Sequence, residues 1–440
     1  MKKALGRVLE DGDKIVPSPL CGMSTSSRTT QHQRSMNTTE SPVSVLPSQR
    51  LASIDIFRGF VMFLMLAEVL HLGKVASAFN GDHSFWGDFW RFLALHQSHV
   101  TWVGCSLHDL IQPGFSFLVG VALPFSIASR IARGQSRYRM TVHVFYRALI
   151  LVLLGVFLRS MSLAQTNWTF TDTLSQIGLG YGFLFLLGLC AFRVQFSALL
   201  LILVGYWAAF ALYPLPGGGF DWARTGVTAN WEHNAAGFAA HWNQNTNVAW
   251  AFDTWFLNLF PQAKPFLFNW GGYATLNFIP TLGTMILGLF AGRILRSERK
   301  WNSKCGLFLF WGLVCPGIGM ALGAQGICPV VKRIWTPSWV LYSGGICFLM
   351  LAAFYWLADV AKLRRLFFPL VVIGANSITA YCLSWMCRSF FEQNLKIHLG
   401  SDVFKAFGEA YEPLLFGASV LLIYWLILFW MYRQKIFIRI

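Results

Sequence analysis

From Ile54 to the C-terminus, apolar runs of about twenty residues recur, separated by short polar or basic connections. Roughly 20 apolar residues are needed for a helix to cross the hydrocarbon core. Within that core every backbone N–H and C=O must be satisfied inside the segment, which selects helices for runs of this length. Ten such runs are read at 54–72, 109–128, 142–161, 174–192, 196–213, 274–295, 306–324, 339–359, 367–385 and 414–432. The predicted fold class is therefore all-α, a polytopic membrane helix bundle of about ten transmembrane helices. Only 12% of the residues are charged and 55% are hydrophobic, against roughly 25% charged in a soluble domain. Forty Phe and nineteen Trp suit lipid-facing surfaces and interfacial aromatic belts.

The net charge of +16 does not indicate nucleic acid, because the basic residues fall in short runs between apolar segments. They act as topology signals, since cytoplasmic loops are enriched in Lys and Arg. Arg130, Arg133, Arg137 and Arg139 mark one loop, and Arg293, Arg296, Arg299, Lys300 and Lys304 a second. Lys362, Arg364 and Arg365 mark a third, and Arg433, Lys435 and Arg439 end the chain. With ten helices all four groups share one side, so both termini are expected to be cytoplasmic, in a multi-pass protein of the cell (inner) membrane. Residues 1–49 have a basic start without an apolar h-region, then a Ser/Thr/Gln/Pro-rich stretch. This reads as a disordered cytoplasmic segment rather than a secretory signal, and Met36 is an alternative start. Residues 50–440 form the transmembrane domain.

The same topology puts the 74–107 connection and the long 214–272 loop on the outer face. The latter is nearly free of Lys and Arg and rich in Trp, Asn, Gly and His, so it reads as a folded cap or binding surface. Trp222, Trp231, Trp242, Trp250, Trp255 and Trp270 suit either stacking on sugar rings or anchoring at headgroup level. The nine cysteines show no metal spacing. Cys105 and Cys328 fall where an outward-facing disulfide is conceivable.

Ionisable groups in or beside the spans are expensive to place and mark functional candidates. Asp55 and Arg58, three residues apart, can pair on one face near the cytoplasmic boundary. Glu68 and His71 lie towards the outer end of the same run. The second run opens with His108 and Asp109, then Gln112 and Pro113, a proline able to loosen the first turns. Arg147, Gln176, Asn376 and Ser377 interrupt otherwise apolar runs. Histidine is the natural general base near neutral pH, and a carboxylate can orient its ring. His99 and Asp109 supply that pair if the loop folds back over the second helix. A histidine can also carry an acyl group transiently. His96 and His99 form HxxH, which with His108 or Asp109 is a weak metal signature; no metal is expected. No nucleophile elbow, P-loop or dinucleotide fingerprint is present.

Several segments resemble a known family. Arg50, Leu51, Ser53, Asp55, Phe57, Arg58 and Gly59 match its opening R-L-x-S-x-D-x-F-R-G run. His99, Trp102, Gly104, Asp109, Leu110 and Pro113 match its histidine, W-x-G and D-L-x-x-P series. The likeness continues through LSQIGLGY (174–181), TLGTMILGLFAGRIL (281–295), IGANSITAY (373–381) and the closing YRQKIFIRI. The chain thus resembles the heparan-α-glucosaminide N-acetyltransferase-like multi-pass acyltransferases, above all their bacterial members. The resemblance implies transfer of an acyl group, usually acetyl, from cytoplasmic acyl-CoA to an acceptor on the opposite face, with His99 as the active-site histidine. Animal members carry an asparagine late in the first helix where this chain reads Ala67-Glu68-Val69, and their outer loop differs from 214–272.

Together these readings give an acyl-CoA-dependent acyltransferase, with acetyl-CoA as co-substrate and an amine or hydroxyl of an extracytoplasmic glycan as acceptor. His99 is base or acyl carrier, oriented by Asp109. Glu68, His96, Trp102 and Asp55 are expected to bind the acceptor, and Arg58, Arg147, Asn376 and Ser377 the acyl-CoA. The lipid bilayer is the other partner, a homodimer is compatible, and no nucleic acid is expected. The rival reading is a secondary transporter of a small polar solute or ion, with Asp55, Arg58, Glu68 and Arg147 along its path.

Overall fold

The computed structural model describes residues 51–438, so the expectations for residues 1–49 and for Arg50 and Arg439 lie outside the described residues. Within them the chain is helical, and its one pairing outside helices is an isolated antiparallel bridge between Val103 and Val331. Seven helices are long and apolar enough to cross a membrane, by length and composition. They contain α4 (Ile111–Ala132), α5 (Arg137–Ser160), α7 (Phe192–Ala211), α9 (Phe278–Arg296), α10 (Trp301–Ala324), α11 (Pro337–Phe354) and α15 (Glu412–Arg433). Two further helices, α12 (Phe368–Ala375) and α13 (Ser377–Met386), meet at a 78° bend and count as an eighth span if taken as one. The apolar helices α1 (Ala52–Leu66) and α6 (Thr173–Gly188) are shorter. Short helices α2 (Leu72–Ala78), α3 (Phe85–His96), α8 (Val248–Phe256) and α14 (Arg388–Leu399) lie in the connections.

Glycine sets the closest helix contacts. Gly120 of α4 faces the backbone of Met285 and Gly288 on α9, while Gly288 and Gly292 face the carbonyls of Phe117 and Val121 on α4. At none of the three is there room for a Cβ, so the two backbones pack directly, as small residues allow in apolar bundles. Gly59 and Gly374 bring α1 and α12 together in the same way. Around this centre Phe117, Met285, Ile286 and Phe348 are 0–2% exposed.

The first apolar run does not continue as one helix to residue 72. α1 stops at Leu66, residues 67–70 form a tighter turn, and His71 adopts a left-handed backbone at φ 49° before α2 begins. Hydropathy is continuous across this point, which is why the break is silent in the sequence. At its other end α1 is capped from afar: Asp359 accepts from the backbone N–H of Ala52 (3.0 Å) and Ser53 (3.1 Å), satisfying donors that a helix start leaves open. Pro113 does not loosen α4. It falls in the first turn, where the missing N–H would lack an intrahelical partner anyway, and the proline inside the helix is Pro124.

The connections after α1, α5, α7, α10 and α13 gather at one end of the bundle. Trp168 stacks on Phe260 at 5.2 Å, Trp207 donates to the Ile327 carbonyl (2.9 Å), and Arg159 lies 4.8 Å over the Trp385 ring. The 214–272 loop folds there as a cap. Its polar run Asn243 to Asn247 is buried, because the side-chain amides serve the backbone of neighbouring loops. Asn243 bonds Ala235 through both its oxygen and nitrogen, Gln244 donates to Trp270, and Asn245 donates to Thr225 and Asn269. Asn247 caps α8. A loop without regular secondary structure can be buried only if its amides are satisfied in some such way.

Candidate active site

His99 and Asp109 meet as the loop folds back. His99 Nδ1 lies 2.8 Å from Asp109 Oδ1. Asp109 is 1% exposed and is surrounded by donors: the N–H of Val100 (3.2 Å) and Ser106 (3.0 Å), and the Ser106 hydroxyl (3.0 Å). Lys332 Nζ, also buried, stands 3.1 Å from the same Oδ1 as His99. A carboxylate so far from water requires this convergence of donors. Lys332 Nζ is also 3.0 Å from His99 Nδ1. Both are donors when Nδ1 carries the proton, so the arrangement is two N–H groups sharing one carboxylate oxygen. Nδ1 is thereby committed, and Nε2 is the nitrogen left for chemistry in the cleft.

The half-buried His99 is held below the usual histidine range. Burial is the largest cause; the bond to Asp109 opposes it, and the Lys332 ammonium adds to it. Burial likewise lowers Lys332, with Asp109 pulling the other way. A neutral imidazole of fixed tautomer is the form a base or nucleophile needs.

Lys332 is the residue that sequence reasoning missed. It belongs to the short α10–α11 connection, which latches the histidine loop from outside. Gly104 N–H donates to Val330 O (3.0 Å), beside the Val103–Val331 bridge. Arg333 donates to Val100 O (3.3 Å) and to Gly271 O (2.9 Å), tying the histidine loop to the cap, and lies 5.4 Å over the Tyr273 ring. Adjacent Lys and Arg on a connection that the charge rule places outside was the available signal.

A second pair faces the first. His108 Nε2 lies 2.9 Å from Glu68 Oε1, and the His99 and His108 rings are 4.6 Å apart. The unwound turn after α1 presents Glu68 here. Both pairs border an open cleft of about 620 Å³ lined also by His71, Lys74, Gln97 and Arg388.

Other expected site residues lie elsewhere. Trp102 does not face the cleft: it is 2% exposed, donates to Trp242 O (3.1 Å) and packs into the cap core with Tyr206, Phe210 and Ile334. His96 accepts from Leu107 N–H (3.2 Å) and packs on Phe92, shaping the loop rather than lining the cleft. Asp55 pairs with Arg58 (3.4 Å), thirteen residues before Glu68. That is about 20 Å away at helical rise, too far to share one acceptor with it. Arg147 donates to the Tyr181 hydroxyl (3.2 Å) and lies 5.2 Å from its ring, joining α5 to α6. Asn376 sits at the α12–α13 break and clasps the C-terminal segment: its Nδ2 donates to Ile436 O (3.0 Å) and its Oδ1 accepts from Ile438 N–H (3.2 Å). Its amide is committed to this clasp, and Ser377 begins α13 beside it. Of the cap tryptophans, Trp242 is core, whereas Trp255 and Trp270 are 60% and 80% exposed; the six do not form one platform.

Cys105 and Cys328 are free thiols, and burial pushes Cys105 up to about 12. No group of three or more His, Cys, Asp or Glu suited to a metal ion occurs among the described residues.

Two relatives were found among characterised proteins. Heparan-alpha-glucosaminide N-acetyltransferase of Homo sapiens is 24% identical over 442 residues, covering 90% of this chain and 61% of the relative. The Mus musculus protein of that name is 23% identical over 409 residues, covering 81% of the chain and 58% of the relative. The chain is thus similar over most of its length to the heparan-alpha-glucosaminide N-acetyltransferases. It spans about three fifths of the length of these relatives, and no family model matches it. Its long apolar helices are those of a multi-pass membrane protein. Within that family likeness, the histidine, W-x-G and D-L-x-x-P series has a physical basis in this chain. The histidine and aspartate form the pair, while Trp102 and Gly104 fix the loop that joins them.

Proposed function

We propose that the protein transfers an acetyl group from cytoplasmic acetyl-CoA to an amine or hydroxyl of an extracytoplasmic glycan. Support comes from one observation above all: a histidine of fixed tautomer, His99, backed by a buried Asp109 and opening on a cleft. Asp109 orients the ring and stabilises positive charge that develops on it. Nε2 then either attacks the thioester or removes the acceptor's proton as it attacks. The donor brings the activated acyl group, and the protein supplies position and proton transfer.

On this reading the chain crosses the bilayer ten times, counting α1, α6 and the bent α12–α13 pair. Both termini lie on the cytoplasmic side and the His99 cleft faces away from it. Residues 50–440 form the catalytic domain. Arg58 and Arg147 lie closer to the donor side than to the cleft, and are the residues proposed to meet acyl-CoA.

The test is incubation of the purified protein with radiolabelled acetyl-CoA, beside His99→Ala. CoA release that depends on His99 supports an acyltransferase. Label held by the wild type alone, and labile as an acyl-imidazole, supports the covalent route. Absence of CoA binding and release by the wild type overturns the reading in favour of a transporter.

A further inference from the structure

The cleft contains two histidine–carboxylate pairs where one-step transfer needs a single base. If His99 carries the acyl group, a role that rests on the function proposed above, Nε2 becomes the acylated atom. Nδ1 is already committed to Asp109. His99 then has no lone pair with which to accept a proton from the incoming acceptor, so a second base must lie within reach of the acyl group.

The groups bordering the cleft narrow the choice. Arg388 and Lys74 line it, but an arginine does not release its proton and a lysine ammonium offers three donors and no acceptor. His71 presents Nε2 to Arg388 Nη2 at 3.3 Å, so that nitrogen is occupied as an acceptor. Glu68 remains. Its side chain is 46% exposed, it lines the cleft, and the His108 ring that holds its Oε1 is 4.6 Å from that of His99. His108 is itself buried, with 6% of its side chain exposed; it positions Glu68 and does not itself reach the acceptor.

We propose that Glu68, held by His108, is the general base of the second half-reaction. In the first half, His99 Nε2 forms a bond to the acyl carbon, the C–S bond breaks, and the sulfur leaves with its electron pair as the CoA thiolate. In the second, the acceptor nitrogen forms the C–N bond, and the pair of the breaking C–Nε2 bond returns to His99. A cationic amine sheds two protons: Glu68 takes the first, which frees the attacking lone pair, yields it to solvent through the open cleft, and takes the second as the C–N bond forms. Glu68 also gives the site an anion suited to a cationic amine acceptor, in preference to a neutral hydroxyl.

The two halves can be followed separately with radiolabelled acetyl-CoA, using glucosamine and hydroxylamine as acceptors. Hydroxylamine is unprotonated at neutral pH and reactive enough to discharge an acyl-imidazole without a base. For Glu68→Gln the expected result is labelling at the wild-type rate, discharge to glucosamine slowed 100-fold or more, and discharge to hydroxylamine unchanged. His108→Gln is expected to show the same acceptor selectivity in smaller measure, which keeps the test intact if Glu68→Gln fails to fold. Equal loss with both acceptors, slowed labelling in a folded variant, or no loss at all overturns the proposal. Turnover by the wild type without protein-bound label also overturns it, while leaving the acetyltransferase standing. Absence of CoA release with either acceptor removes that reading too.

Discussion

Asp109 carries more of the site's organisation than its size suggests. It fixes the His99 tautomer, it is the counter-charge for Lys332, and it holds the N–H groups of Val100 and Ser106 in one loop. Asp109→Asn keeps the shape but loses the charge. Turnover is expected to fall about 100- to 10,000-fold, the usual worth of positioned acid–base catalysis, with acetyl-CoA affinity little changed. Kinetics alongside donor binding check this. Lys332 gives a prediction with a sign. Its ammonium is one cause of the depressed His99, so Lys332→Met lets the histidine rise. The acid limb of the pH–rate profile then moves to higher pH; an unmoved limb contradicts the geometry. Breaking a buried ion pair costs about 3–5 kcal/mol, so the variant should also melt earlier.

Among the elements, the cap and the α4–α9 contact each make a distinct demand. Asp253 of α8 is 1% exposed and accepts from Thr275 N–H (2.9 Å), joining the cap to the start of α9. Burial pushes it up to about 7 from an ordinary 3.8. The folded protein thus holds this proton more tightly than the unfolded chain does. The contribution to stability is complete below about pH 4 and is lost as pH rises through 7. Thermal melts in detergent across that window should decline for the wild type, and Asp253→Asn should flatten the decline. Gly288 has no room for a Cβ against Phe117. Gly288→Val is expected to force α4 and α9 apart at a cost of at least the 1–3 kcal/mol typical of overpacking, read as a lowered melting temperature with His99 chemistry intact at low temperature.

For the whole molecule, topology is the property to test. If the His99 end faces away from the cytoplasm, the exposed Cys190 between α6 and α7 should react with an impermeant maleimide only from the cytoplasmic side. Ser84→Cys should react only from the other, and the reverse pattern refutes the orientation. The all-helical, membrane-spanning character was legible beforehand, because apolar length is a property of single segments. The His99–Asp109 pair was legible as well, since its partners are ten residues apart. Lys332 was not, because it lies 233 residues from His99 and resembles any loop cation. Trp102 misled for a related reason: a tryptophan in an outer loop reads alike whether it faces ligand or core. Asn376 misled because its partners, Ile436 and Ile438, lie in the closing segment of the chain.

The latch between α10 and α11 also dictates when the protein becomes competent. His99 and Asp109 leave the ribosome early, but Lys332, Arg333 and the bridge to Val331 that brace them emerge only after seven of the ten proposed crossings have been synthesised. The nascent chain therefore carries its histidine in an unbraced loop through most of its insertion. Maturation of the site is tied to the near-completion of biosynthesis, and a ribosome that stalls after α9 releases a product without an assembled centre.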